Sequence, residues 1–242
     1  MRKGELQRKV RKTHRWLGVI LGIQFLFWTI GGLYFSWSNM DEVHGDHNKT
    51  HIHPLTGNIT LVNPQDILTK IKQKDTVNFV LGMQLIQILE KPVYQFIYSK
   101  EHDRGKKIQL ADAQTGILRP NLSKKEAVEI AQKNFLDDAK VQQVEYLTTT
   151  NGHHEYREQP LPAYAVTFAH PSNTTVYVSS ELGTVQKFRN NKWRIFDFLW
   201  MLHTMDYQGR DNISNWLLRA FSIFGLFTLS SGFVLFFLSR KK

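Results

Sequence analysis

The histidines of this chain are placed where a membrane protein could use them. His14 stands just before one uncharged apolar stretch, and His203 stands ahead of a second. Neutral imidazole binds iron, copper and zinc. A haem held in a membrane bundle takes two axial ligands at one depth, commonly histidines on facing helices. His14 and His203 are therefore candidate axial ligands. They belong near opposite faces of a bilayer, about 30 Å apart, so they would serve different haems, each completed by a second chain. Arg219, the one charge close to the second stretch, would snorkel to headgroups, pair with Asp211, or neutralise a haem propionate. The plainer alternative makes His14 a juxtamembrane residue among basic neighbours and His203 an interfacial residue packed beside Trp200.

A second group is local. His44, His47, His51 and His53 fall within ten residues, with Asp41, Glu42 and Asp46 among them. Imidazole mixed with carboxylate suits a transition metal. His51 and His53 would share a side of an extended segment, and His44 and His47 a face of a helix. A solvated juxtamembrane loop is the competing reading. His153 and His154 read as a hairpin tip, and Asp137 and Asp138 as solvated surface at a helix end.

Several chemistries are excluded by pattern. The chain has no cysteine, hence no thiolate metal site and no C-x-x-C-H haem attachment. It carries no H-E-x-x-H, no G-x-S-x-G and no phosphate-binding glycine loop.

The elements that must position these residues begin with the two apolar stretches. Trp16 to Trp37 is 22 residues without a charge, and Ala220 to Ser239 is 20. As helices rising 1.5 Å per residue, each crosses a hydrocarbon core of about 30 Å. The first is too long for a signal peptide and lacks a small-residue cleavage site, so it is expected to be a retained anchor. Ten of the 31 basic residues, but only one of the 21 acidic ones, lie in the segments 1–15 and 240–242. The remainder is nearly neutral. This bias places both ends in the cytoplasm and the middle outside. It also argues against nucleic acid, whose readers keep their basic stripe on the folded domain. Inner ends this short leave no room for a flavin or nicotinamide domain, so electrons would come from quinol or a partner.

The expected organisation is a basic N-terminus at 1–15, a transmembrane helix at 16–37, and a His-rich juxtamembrane loop at 38–60. Two similar α+β lobes follow at 61–120 and 121–190. An interfacial amphipathic helix at 193–206 leads to a transmembrane helix at 213–239 and a tail at 240–242. The second lobe is the clearer. Ser123 and Glu126 form a capping box ahead of an apolar face of Ala127, Ile130 and Ala131. Strands are expected at Gln143–Thr149, Ala163–Phe168, Thr175–Val178 and Thr184–Phe188. The first lobe repeats this with a short helix near Pro64–Ile71 and strands at Gly82–Leu89, Val93–Tyr98 and Lys107–Leu110. Lys91-Pro92-Val93-Tyr94 aligns with Leu161-Pro162-Ala163-Tyr164, which suggests a duplication.

The chain resembles the PepSY-associated transmembrane family of bacterial inner-membrane proteins. The resemblance is carried by His14-Arg15-Trp16-Leu17-Gly18 with Gly31-Gly32-Leu33-Tyr34, and by Leu122–Ala131 with Leu161-Pro162-Ala163-Tyr164 and Thr175-Val176-Tyr177-Val178. It continues in Trp193-Arg194, Leu202-His203, Gly225 and Ser231-Gly232. Longer relatives resemble haem-containing reductases of ferric siderophores and have about twice as many membrane helices. The resemblance implies an inner-membrane protein with a periplasmic domain of two PepSY-like lobes. One expected function is a haem b redox module, completed by a homodimer or a related membrane partner, that moves electrons toward periplasmic ferric iron. The other is a non-enzymatic membrane-tethered module that binds a partner protein or modulates a peptidase.

Overall fold

The computed structural model describes residues 3–50, 54–100 and 105–239. The chain forms two units, one of residues 1–40 with 192–242 and one of residues 41–191.

The first unit is helical. α1 spans Lys3–Trp37, α5 spans Asn191–Thr204 and α6 spans Trp216–Ser239. α1 starts well before the apolar stretch, because its basic leader is rich in good helix formers and Glu5 pairs with Lys9 one turn on at 3.5 Å. The segments Arg8–Trp37 and Trp216–Phe237 are long and apolar enough to cross a membrane. α1 and α6 run antiparallel, since His14 meets Ser231 while Phe25 and Trp28 meet Phe221. Leu21 and Gln24 are buried, whereas Ile20, Ile23, Leu226 and Phe227 are exposed. Such outward apolar faces suit lipid.

α6 begins at Trp216 rather than at 213, because Asn215 caps it: its side-chain oxygen accepts from the Leu218 amide at 2.8 Å. α5 stops at Thr204, not 206, because Met205 turns to a φ of 54°. The intervening loop is wound around Asp206, whose carboxylate accepts from the amides of Gln208, Gly209 and Asn212. Burial pushes its pKa up, but these backbone donors outweigh that and hold it below the usual range.

The second unit is α+β. Met40–His44 forms a short helix (α2) that leads into it. α3 (Pro64–Lys74) precedes strands β1 (Phe79–Ile88), β2 (Lys91–Ser99), β3 (Lys107–Asp112) and β4 (Leu118–Arg119). α4 (Lys124–Asn134) precedes β5 (Val141–Leu147), β6 (Ala163–Phe168), β7 (Thr175–Ser179) and β8 (Val185–Arg189). Each set of strands is an antiparallel meander in chain order. Two apolar helices thus flank an α+β region with two antiparallel sheets. α4 opens on the capping box, with Ser123 Oγ accepting from the Glu126 amide and Glu126 accepting from Ser123 N.

α3 buries Ile67 and Ile71 against Tyr94, Phe96 and Ala111 of the first sheet. Each such side chain contributes on the order of 1.5–3 kcal/mol. The main core joins both sheets: Ile88, Val93 and Leu110 of the first pack with Ala127, Ile130, Val166, Val178 and Phe188. Gly183 stands at this junction with a φ of +73°, and a Cβ there would lie 2.5 Å from Ile88 Cδ1. Beside it, buried Gln95 donates to the Leu182 carbonyl at 2.7 Å.

Residues 148–162 join β5 to β6, which pair as an antiparallel hairpin, as expected around His153 and His154. They fold back over the second sheet, because Tyr156 is fully buried there and stacks on Tyr177 with centroids 4.5 Å apart. Asp137 is not simply solvated: it accepts from Asn48 Nδ2 at 2.9 Å and lies 3.4 Å from His170 Nε2.

Candidate functional site: two imidazole levels in the helical unit

His14 is half-buried on the α1 face turned to α6, and its Nδ1 lies 2.7 Å from Ser231 Oγ. Ser231 has one hydroxyl hydrogen and donates it to the Thr228 carbonyl at 2.7 Å. With the Ser231 hydroxyl directed at that carbonyl, the imidazole donates through Nδ1, and in a neutral ring Nε2 then keeps the lone pair. A neutral imidazole whose other nitrogen donates to a fixed acceptor is the usual arrangement of a metal-bound histidine. Gly232 allows the approach, since a Cβ there would meet His14 Cε1 at 3.4 Å. His14 thus fits an axial position on haem iron.

His203 lies on α5 among aromatic rings: Trp28 at 5.7 Å, Phe35 at 5.9 Å and Trp200, nearly coplanar, at 6.1 Å between centroids. α5 is held to α1 by Gln24 Nε2, which donates to the Leu202 carbonyl at 2.7 Å, and by Phe35 against Phe196. Packing on Trp28 puts His203 about 13 Å along α1 from Trp37, and about 21 Å along that helix from His14. The two imidazoles cannot ligate one haem within a chain. The Nδ1 of His203 is buried without a hydrogen-bond partner, and so is Trp28 Nε1. Without an acceptor on Nδ1, His203 fits an axial position less well than His14. His203 and Trp28 line a cavity of about 280 Å³ together with Trp200, Thr204, Ile213 and Leu218.

Arg219 is exposed on the first turn of α6. Close by in chain and fold, Arg210 pairs with Asp197, which is buried on α5.

His44 and His47 do not converge. His44 ends α2, Gly45 turns at a φ of 74°, and His47 lies in a 3-10 turn at Asp46–Asn48, so the two share no continuous helix face. His44 Nδ1 is 4.0 Å from Asp46, and His47 Nδ1 is 3.4 Å from the Asp41 carbonyl. Asp46 is claimed by Lys49, which holds its carboxyl below the usual range. His51 and His53 lie outside the described residues. Among the described residues no group of three metal-ligating side chains comes together.

A cleft of about 510 Å³ lies in the α+β unit and contains none of the candidate residues. It runs between the β1–β2 turn and α4, where Glu90 meets Lys133 at 2.9 Å. Three residues that complete the helical sites were not singled out from the sequence as site residues: Gln24, Trp28 and Ser231. Their signal was weak, being uncharged polar or amphipathic side chains inside apolar runs.

No curated protein and no solved structure matches the chain. A match to the PepSY-associated TM region covers residues 1–240, taking in both spanning helices and the α+β unit between them, and the chain belongs to that family.

Proposed function

We propose that this chain is an inner-membrane haem-binding redox module, with both termini cytoplasmic and the α+β unit of PepSY-like lobes in the periplasm. The observation that carries the reading is the 2.7 Å contact of His14 Nδ1 with Ser231 Oγ, which fixes a half-buried imidazole and, with a neutral ring donating there, puts its lone pair on Nε2. Haem b supplies one-electron transfer when bound. His14 holds the iron at the cytoplasmic level, and His203 is the candidate ligand at the other. One chain offers one imidazole per level, so the second axial ligand comes from a second copy or a related membrane partner. Gly18 and Gly22 favour such pairing, because nothing lies within 4 Å of either Cβ position and another helix can approach closely there. Quinol is the expected electron source, and ferric iron or its siderophore complex the expected acceptor. Arg219 is placed to meet a propionate or headgroup.

The test uses the full chain purified in detergent from haem-replete cells. A Soret band and a reduced-minus-oxidised haem b spectrum are expected, with loss of the signal in His14→Ala. A colourless wild-type protein removes the reading.

A second reading is favoured by β1. This ten-residue edge strand carries no charge and exposes Phe79, Val80, Leu81, Met83 and Leu85. Unprotected edges of this kind accept an added strand. On that reading the protein is a non-enzymatic tethered module that binds a partner or modulates a peptidase. Copurification of a stoichiometric partner with wild type, lost on Met83→Lys, is its expected result. Unchanged copurification rejects it.

A further inference from the structure

The two orphaned nitrogens beside the smaller cavity ask for an occupant. Trp28 Nε1 can only donate, and His203 Nδ1 donates whenever Nε2 is the unprotonated nitrogen. Both are shut away from solvent, and neither has a partner. A buried polar group left unmade costs about 1–3 kcal/mol, so two such groups on adjacent rings, 5.7 Å apart, mark a position where an acceptor is missing. The rest of the lining is apolar or aromatic: Trp200 presents a ring face, Ile213 and Leu218 aliphatic surface. Thr204 is no substitute acceptor, since neither orphaned nitrogen is hydrogen-bonded to it.

Location narrows the ligand. Trp28 lies within the span Arg8–Trp37 and Leu218 within Trp216–Phe237, so the occupant reaches the cavity from a hydrocarbon phase. It must carry an acceptor oxygen, be flat enough to lie against indole and imidazole, and be small. A cavity of about 280 Å³ lies just below the usual range of small-molecule sites, roughly 300–1,000 Å³. That volume suits one substituted ring, with any tail left in lipid.

We infer that this cavity binds the head group of a membrane quinone, with a carbonyl oxygen accepting from Trp28 Nε1–H and His203 Nδ1–H. Both nitrogens are closed off in this structure, so binding requires the two rings to turn their N–H groups toward the cavity. The inference deepens the redox reading, which needs a quinol, but the site stands on its own atoms. It also supplies what His203 lacks as a metal ligand, an acceptor on the nitrogen turned away from the iron.

The probe is decylubiquinone titrated into the full chain in detergent, read by quenching of tryptophan emission. The absence of cysteine rules out thiol adducts as a source of the signal. Wild type is expected to show a saturable component. Trp28→Phe keeps an aromatic wall but removes the donor, and Trp200 still reports; the midpoint is expected to rise about tenfold. His203→Phe should act alike, and His203→Gln, which restores an N–H, should recover most of the loss. Quenching that rises without saturation, or equal midpoints in wild type and Trp28→Phe, overturns the inference. So does displacement of the quinone by equimolar dioleoylphosphatidylcholine, which would assign the acceptor to a lipid ester. The spectrum of the same preparation keeps the two readings apart. Saturable binding by haem-free protein leaves the quinone site and removes the redox module. A haem band without saturable binding does the reverse.

Discussion

The helical unit and the α+β unit treat their buried polar groups differently. In the α+β unit such groups are mostly closed off. Gln95 donates to the Leu182 carbonyl, Ser180 to the Pro162 carbonyl and Asn190 to the Glu42 carbonyl; two buried atoms, Asn48 Oδ1 and Arg157 Nη1, make no hydrogen bond. In the helical unit Gln24 and His14 are satisfied, but Trp28 Nε1, His203 Nδ1 and Arg210 Nε are not. Unmet groups in a low-dielectric setting are costly, and they persist where something else is meant to complete them. Two of the three open nitrogens of the helical unit stand on adjacent rings, 5.7 Å apart between centroids.

The sharpest way to break that contrast is Gly183→Ala. The new Cβ would fall 2.5 Å from Ile88 Cδ1 and 3.2 Å from Leu110 Cδ1, at a φ of +73°. Overpacking and a left-handed alanine together should cost about 2–4 kcal/mol. Thermal unfolding of the full chain should show a large drop, with the haem spectrum unchanged in position in whatever protein remains folded. A shifted spectrum would mean that the lobes shape the haem site.

Ser231→Ala is the converse. It removes the acceptor that orients His14 and leaves lobe packing untouched. Partners of ligand histidines typically matter about 10–100-fold in affinity. Haem occupancy should fall by that order while the melting temperature holds. Unchanged occupancy would show that the Ser231 contact does not set the imidazole.

Ser123→Ala probes local structure in the α+β unit. The loss of the cap on α4 should cost about 1 kcal/mol, read as a lower denaturant midpoint with an unchanged slope. An effect below about 0.3 kcal/mol would mean that tertiary packing, not the cap, holds the helix start.

What was legible from sequence follows the same division. The Ser123–Glu126 box and strand Ala163–Phe168 were readable because each is decided by neighbouring residues. The spans were readable because only long uncharged runs cross lipid. The contact of His203 with Trp28 was not, since it depends on α5 packing on α1 through Gln24 and Phe35, a contact with no local signature. The fold-back of residues 148–162 was missed because two histidines and a proline-rich end look like a solvent loop, while the single buried Tyr156 decides the outcome. The start of α6 slipped by three residues because Asn212 and Asn215 compete as caps, and only the geometry shows that Asn215 bonds the Leu218 amide.

The smallest effect expected lies at the surface of the first lobe, where Asp75 receives Lys100 at 2.7 Å and Lys107 at 3.0 Å. Hydrogen bonds from Lys100 first, then Lys107, hold its carboxyl well below the usual carboxylate range. A depressed folded-state pKa stabilises the protein above the unfolded value, about 3.9 for aspartate, and that stabilisation fades as pH falls through the folded value. Lys100 is shifted the other way: the Asp75 hydrogen bond raises its pKa, so its share is complete at neutral pH and fades only as strongly alkaline pH is reached. The pair is therefore at full strength between roughly pH 5 and pH 9. Because these groups are solvent-exposed and screened, the effect is modest. Asp75→Asn should flatten the fall in melting temperature between pH 5 and pH 2 and leave the haem and quinone titrations unchanged. A variant whose acid slope matches wild type would show that carboxylates elsewhere set the acid limit. An altered quinone midpoint would instead show coupling between the two units.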